Sequence, residues 1–96
     1  MLEVKLRLYS ALREIVGEDK FIMNVPEGSS VKELIRSLLN QYEEKFRERY
    51  GLLFKKDLED RFLVFVNDNS IYSFDGFETK LKDKDKVDIL EPISGG

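Results

Sequence analysis

The chain has no cysteine and no histidine. Without cysteine there are no disulfides, no thiolate nucleophile and no thiol-ligated metal. Without histidine there is no imidazole to act as general base, metal ligand or partner of a nucleophile. No catalytic site within the fold and no metal site are expected. Sixteen Lys and Arg stand against 19 Asp and Glu, a net charge of −3. A basic whole-domain footprint is missing, so nucleic acid is not an expected partner. No apolar run approaches the ~20 residues that span a membrane. A strand-like alternation starts at residue 2, where a secretory signal would need a continuous apolar core. A cytoplasmic location is the expectation.

Ninety-six residues make one domain. Hydrophobic residues are 42% of the chain, enough for a core and too many for a disordered segment. Leu2, Val4, Leu6 and Leu8 alternate with Glu3, Lys5, Arg7 and Tyr9, which predicts a half-buried strand over 2–9. Residues 10–16 read as a short helical turn, with Ser10 as a cap and Gly17 as a left-handed stop. Phe21, Met23 and Val25 are in phase over a second strand, 20–25, which pairs antiparallel with the first. Ser30 and Glu33 have capping-box spacing. Val31, Leu34, Ile35, Leu38, Leu39, Tyr42, Phe46 and Tyr50 then form one apolar stripe, predicting a helix over about 30–49 that stops at Gly51.

A charged connection runs from Gly51 to Asp60, with Leu52, Leu53, Phe54 and Leu58 as apolar anchors. Residues 62–66 are apolar at every position, which predicts a strand with both faces out of bulk water. A turn at 67–70, a short strand over 71–74 and a second turn at Asp75-Gly76 follow. Residues 77–82 are ambiguous, with Leu81 as their core anchor. A last strand covers 86–90, and Pro92 ends it. One helix covers one face of such a sheet, so the fold class is α+β, a two-layer domain over residues 1–96 with a mixed sheet packed on one long helix. Leu2, Val4, Leu6, Leu34, Ile35, Leu38, Val87 and Ile89 are the expected core.

The other face of the sheet carries apolar residues that the core does not need. Tyr9 lies on the polar side of the first strand, and Leu90 is out of phase with Val87 and Ile89. With Ile71 and either Phe65 or Leu63 they form a candidate docking patch; single exposed apolar residues are the plainer alternative. Asp83, Asp85, Asp88 and Glu91 form an acidic group, read either as a site for a divalent cation or a basic partner, or as a solvated turn among Lys82, Lys84 and Lys86.

The element order, closed by Gly95-Gly96 after the last strand, resembles the β-grasp fold of ubiquitin-like proteins. Three segments resemble the small subunit of molybdopterin synthase: Ala11 to Gly17, Val66-Asn67, and Leu81 to Val87 followed by Pro92-Ile93-Ser94-Gly95-Gly96. The likeness covers nearly the whole chain in order and spacing. Lys84 stands where that family often has glycine, and Glu91 where it often has a first proline; the first bears on turn geometry, the second on tail stiffness.

The resemblance implies first and last strands side by side and parallel, with a flexible tail over about 92–96. It implies that an ATP-dependent E1-like enzyme adenylates the Gly96 carboxylate and that sulfide displaces AMP, leaving a thiocarboxylate. A chain without cysteine carries sulfur only if it is attached after synthesis. A larger synthase subunit then receives the tail and moves sulfur to a pterin precursor of the molybdenum or tungsten cofactor. Gly96 is the reacting residue, and Gly95, Ser94, Ile93 and Pro92 thread the partner's channel, which glycines fit because they lack Cβ. Arg13 is a candidate contact for the activating enzyme, with a surface ion pair as the equal alternative. No bound cofactor is implied; the ATP belongs to the enzyme. The same chemistry serves a protein modifier joined to lysines through Gly96, and a thiamine-pathway carrier is a further alternative. A plain interaction module with an inert, frayed tail is the alternative from another class.

Overall fold

A computed structural model describes residues 1–51 and 61–91. Alternation over the first strand does what it predicts. β1 (Leu2–Leu8) buries Leu2, Val4, Leu6 and Leu8 on one face. β2 (Lys20–Val25) pairs with it antiparallel, Leu6 opposite Phe21, Val4 opposite Met23 and Leu2 opposite Val25. Between them lies α1 (Ser10–Val16), which ends at Gly17 (φ 88°), whose N–H donates to the Arg13 carbonyl at 2.8 Å. Ser10 is not the cap. It stands inside the helix start with φ 50°, Tyr9 is the flanking residue, and no side chain caps the end. The left-handed angle at Ser10 swings the chain out of the strand within one residue, leaving its side chain no capping role.

α2 (Val31–Gln41) opens with the expected capping box. Glu33 N–H donates to Ser30 Oγ at 3.2 Å, and Ser30 N–H donates to Glu33 Oε1 at 3.0 Å. The Ser30 N–H, and next the Ser30 hydroxyl that donates to the same Oε1 at 3.2 Å, lower the Glu33 carboxyl pKa below its ordinary value. Val31, Leu34, Ile35, Leu38 and Leu39 are buried. The single long helix, however, is two. It breaks at Tyr42 (φ −121°, ψ 36°) and resumes as α3 (Glu43–Tyr50). After Leu39 the stripe thins to Tyr42, Phe46 and Tyr50 among charged neighbours. The break lets α3 turn onto α1 while Phe46 stays fully buried. Residues 52–60, with the anchors expected there, lie outside the described residues.

β3 (Leu63–Val66), β4 (Asn69–Ser70) and β5 (Lys86–Leu90) complete the sheet, in the order β2-β1-β5-β3-β4. β5 lies between β1 and β3, parallel to the first and antiparallel to the second. The parallel pairing of first and last strands is the β-grasp arrangement, and the fold is of that ubiquitin-like type. All eight expected core residues are buried together, with Leu12, Phe46, Phe62, Val64, Ile71 and Leu81 among those added.

Two expectations fail, one through the parity of a strand and one through a turn. β3 does not hide both faces: Phe62, Val64 and Val66 face the core, whereas Leu63 remains 42% exposed, because the helices cover one side only. Residues 71–74 are not a strand. Asn67 (φ 51°) and Asp68 (φ 71°) form a two-residue hairpin turn, a geometry Asn and Asp tolerate. β4 then stops after two residues, and Ile71–Ser73 coil into a 3₁₀ turn with Ser70 Oγ accepting from the Tyr72 N–H. A second 3₁₀ turn, Gly76–Glu78, precedes the buried Leu81. Among the described residues no helix is long and apolar enough to cross a membrane.

Candidate functional site: the open sheet face and the root of the tail

Register fixes which side chains share the uncovered face. Arg7 is paired with Asp88, Asp88 with Phe65, Phe65 with Ser70, and Leu90 with Leu63. Because β1 and β5 run parallel, Tyr9 falls beside Leu90 one step beyond the last pair. Tyr9, Leu90, Phe65 and Leu63 thus gather at the end of the sheet from which the chain leaves β5. Three of the proposed docking residues, Tyr9, Phe65 and Leu90, are half-buried on this face.

Ile71 does not join them. It is 0% exposed and belongs to the core. Ser70 opposes Phe65 on the open face, so the next residue points the other way. Arg13 is exposed on α1, at the same end of the sheet but beside the patch. Pro92, Ile93, Ser94, Gly95 and Gly96 lie outside the described residues.

Polar groups frame the patch. Arg7 donates to the Tyr9 hydroxyl at 3.5 Å and its guanidinium lies 6.0 Å from the ring centre. That hydroxyl, with lesser help from Asp88 and Asp19, raises the Arg7 pKa further above its ordinary value. Asp88 Oδ1 is buried and has no hydrogen-bond partner among the described residues. Buried carboxylate oxygens are rarely left so.

The acidic group separates into structural roles. Asp83 Oδ1 accepts from the Glu3 N–H at 2.8 Å. Asp85 accepts from Asn67 Nδ2 at 2.9 Å and from the Lys82 N–H at 2.7 Å. Among the described residues no group of three or more such side chains is placed to hold a metal. Lys84 has φ 71°, a left-handed angle that favours glycine. It is secured by its N–H to the Glu3 carbonyl at 2.7 Å and by Nζ to Glu3 Oε2 at 2.6 Å.

Glu91 carries a feature that sequence reasoning missed. Tyr50 Oη donates to its Oε2 at 2.7 Å, and Arg49 Nη2 donates to Oε1 at 3.0 Å. Tyr50 stacks on Phe46 with ring centres 6.1 Å apart and meets Phe62 edge-on at 6.3 Å. Burial first, and the Glu91 carboxylate second, push the Tyr50 hydroxyl well above the usual tyrosine value. The last described residue before the tail is therefore tied to the hydrophobic core. Pro92 also restricts the backbone of the residue before it to extended angles. The sequence held one signal for this: Arg49-Tyr50 at a helix end, one turn beyond the buried stripe.

The family model for ThiS matches residues 6–96, all but the first five positions. The chain belongs to the ThiS family. This places it among ubiquitin-like sulfur carriers and small modifiers. Small archaeal modifier protein 3 of Haloferax volcanii is 27% identical over 95 residues, covering 99% of this chain and 100% of the relative. The solution structure of small archaeal modifier protein 1 from Methanosarcina acetivorans is 31% identical with a TM-score of 0.75, covering 100% of this ThiS-family chain and 98% of the other. A chain in the complex of subunits 1 and 2 of the Helicobacter pylori molybdopterin-converting factor is 25% identical with a TM-score of 0.56, covering 99% and 100%.

Proposed function

We propose that this ThiS-family chain is a sulfur carrier activated at its C-terminus, the small subunit of a molybdopterin synthase. An activating enzyme joins AMP from ATP to the Gly96 carboxylate and releases pyrophosphate. Sulfide sulfur then attacks the acyl carbon and AMP leaves, giving the thiocarboxylate. Activation is required because a free carboxylate is a poor acyl donor, and the acyl-adenylate divides one hard step into two. The larger synthase subunit receives the tail, and sulfur passes to a pterin precursor of the molybdenum or tungsten cofactor. The observation that supports this most is the coincidence of the Gly95-Gly96 end with an open apolar patch at the point where the chain leaves β5. A partner seated on Tyr9, Phe65, Leu63 and Leu90 would lie beside the emerging tail. That some relatives of this size occur in two-subunit complexes agrees with such a partner.

A second reading has its own support. The relatives at 27% and 31% identity are small archaeal modifier proteins, and conjugation of Gly96 to lysines uses the same adenylate. Intact mass of the protein purified from its native cell separates the two. Replacement of one oxygen by sulfur adds about 16 Da to the free chain and identifies the carrier. Branched peptides ending in Gly-Gly on the lysines of other proteins identify the modifier. Neither product in cells making the activating enzyme would overturn both readings.

A further inference from the structure

We infer that the β2 side of the open face is a second docking surface, built for a short acidic segment of a partner protein that carries one aliphatic side chain. Lys5 pairs across the sheet with Ile22 on one side and with Lys86 on the other, while Arg7 pairs with Lys20. Cross-strand partners share a face, so four cations surround Ile22. Neighbouring strands lie about 4.8 Å apart and residues two apart on a strand about 6.7 Å, which places all four Cα positions within roughly 12 Å of one another. Together with Leu6 and Phe21 these residues line a shallow concavity of about 570 Å³. Ile22 is 53% exposed at its centre.

A net charge of −3 makes this concentration of positive charge a departure from the rest of the chain. It is not fully neutralised from within. Lys86 Nζ lies 2.9 Å from Asp68 Oδ1, and Arg7 is held by Tyr9 and faces Asp88. Among the described residues no carboxylate lies within ion-pair distance of Lys5 or Lys20. Opposite charge on a partner therefore has two cations to meet, and Ile22 supplies the apolar anchor that gives register.

The surroundings select a protein segment over a nucleic acid. Asp19, Asp68, Asp88 and Glu3 border the concavity, so a continuous phosphate backbone running across it would meet like charge on leaving. The exposed apolar element is aliphatic, whereas single strands are held by stacking on aromatic rings. A short stretch of Asp or Glu flanking one Leu, Ile or Val fits both the charge and the anchor. Lys86 and Leu90 are four residues apart on β5, about 13 Å, and Arg7, which donates to Tyr9, lies where this surface meets the patch at the tail root. The inference stands whether or not Gly96 is activated.

The test is a titration of the isotope-labelled full-length protein followed by amide NMR. The probes are a peptide of glutamates flanking a single leucine, its lysine counterpart and a uridine-rich RNA oligonucleotide. The acidic peptide is expected to shift amides around Lys5, Lys20, Ile22 and Lys86, to weaken as salt rises, and to bind while the lysine peptide does not. Lys5→Glu with Lys20→Glu should raise its Kd at least about tenfold, and Lys5→Arg with Lys20→Arg should keep it. Ile22→Ser should weaken binding a few-fold without changing the salt dependence. Spectral dispersion reports folding of each variant, and the arginine and serine variants carry the test if the charge reversals misfold. Several results would overturn the inference: shifts centred on Tyr9 and Leu90, tighter binding of the RNA, a dimer that the double charge reversal dissolves, or no binding of the acidic peptide at millimolar concentration. In the last case Lys5 and Lys20 only guard the free edge of β2 against pairing.

Discussion

Replacing Ile71 with alanine, beside the matching change at Leu63, separates core from docking face. Ile71 is 0% exposed and Leu63 is 42% exposed. Each change to alanine removes three carbon positions. At about 0.8 kcal/mol per buried methylene, the full transfer contribution is about 2.4 kcal/mol. At Ile71 the whole of it applies, with an added cavity contribution. Ile71 begins a three-residue 3₁₀ turn behind a two-residue strand, so its surroundings can collapse in part. A loss of about 2–4 kcal/mol is expected. At Leu63 a little over half the transfer contribution applies, no closed cavity forms, and the unfolded chain already hides some of this area, so about 1 kcal/mol is expected. Urea titrations of both variants, with m held common, give the comparison. A loss below about 1 kcal/mol at Ile71, or a loss at Leu63 equal to it, would show that the assignment of faces is wrong.

Deleting Gly96 should abolish ATP–pyrophosphate exchange with the activating enzyme and leave Tm unchanged. The carboxylate would retreat by about 3.3–3.6 Å, whereas ~1 Å of misplacement can already cost a hundredfold. Exchange at the full-length rate would remove the case for an activated terminus. Leu90→Lys should weaken binding to the activating enzyme at least about tenfold while the urea midpoint stays nearly constant; unfolding of the variant would place Leu90 in the core. Tyr50→Phe tests the bond to Glu91 by pH. The folded-state pKa of Tyr50 lies above the unfolded value of about 10, so its contribution is complete below that pH and falls as pH rises through the folded value. The stability gap between wild type and Tyr50→Phe, measured by urea at successive pH values, should therefore narrow above pH ~10. A gap independent of pH would show that the hydroxyl ionises alike in both states.

Local rules made most of the architecture legible. Period-two alternation in β1 and β2, the Ser30–Glu33 box and the stripe from Val31 to Leu39 each depend on neighbours within one or two turns of chain. What escaped depends on partners far away in sequence. Whether residue 71 faces inward follows from where β4 pairs with β3, and a strand of two residues leaves almost no pattern to read. The break at Tyr42 reflects the packing of α3 on α1, not a breaker residue. The docking patch was partly readable because Tyr9 and Leu90 were visibly out of phase. The cluster of cations was not, since Lys5, Lys20 and Lys86 meet only once β1 has β2 on one side and β5 on the other. The link from Tyr50 to Glu91 spans 41 positions, and its one local sign is Arg49-Tyr50 at the helix end.

The placement of β5 between β1 and β3 has a consequence for how the molecule is made. Translation delivers the strands in chain order, so the strand that joins the two halves of the sheet emerges after the other four. A nascent chain halted before Lys86 has one hairpin, β1 with β2, and another, β3 with β4, but nothing between them. The contacts of Val87 with Leu6 and of Ile89 with Leu8 each span 81 of the 96 positions and form last. An interrupted product therefore cannot close its sheet and stays open to degradation. The sheet closes only once the strand that leads toward Gly95-Gly96 has been made.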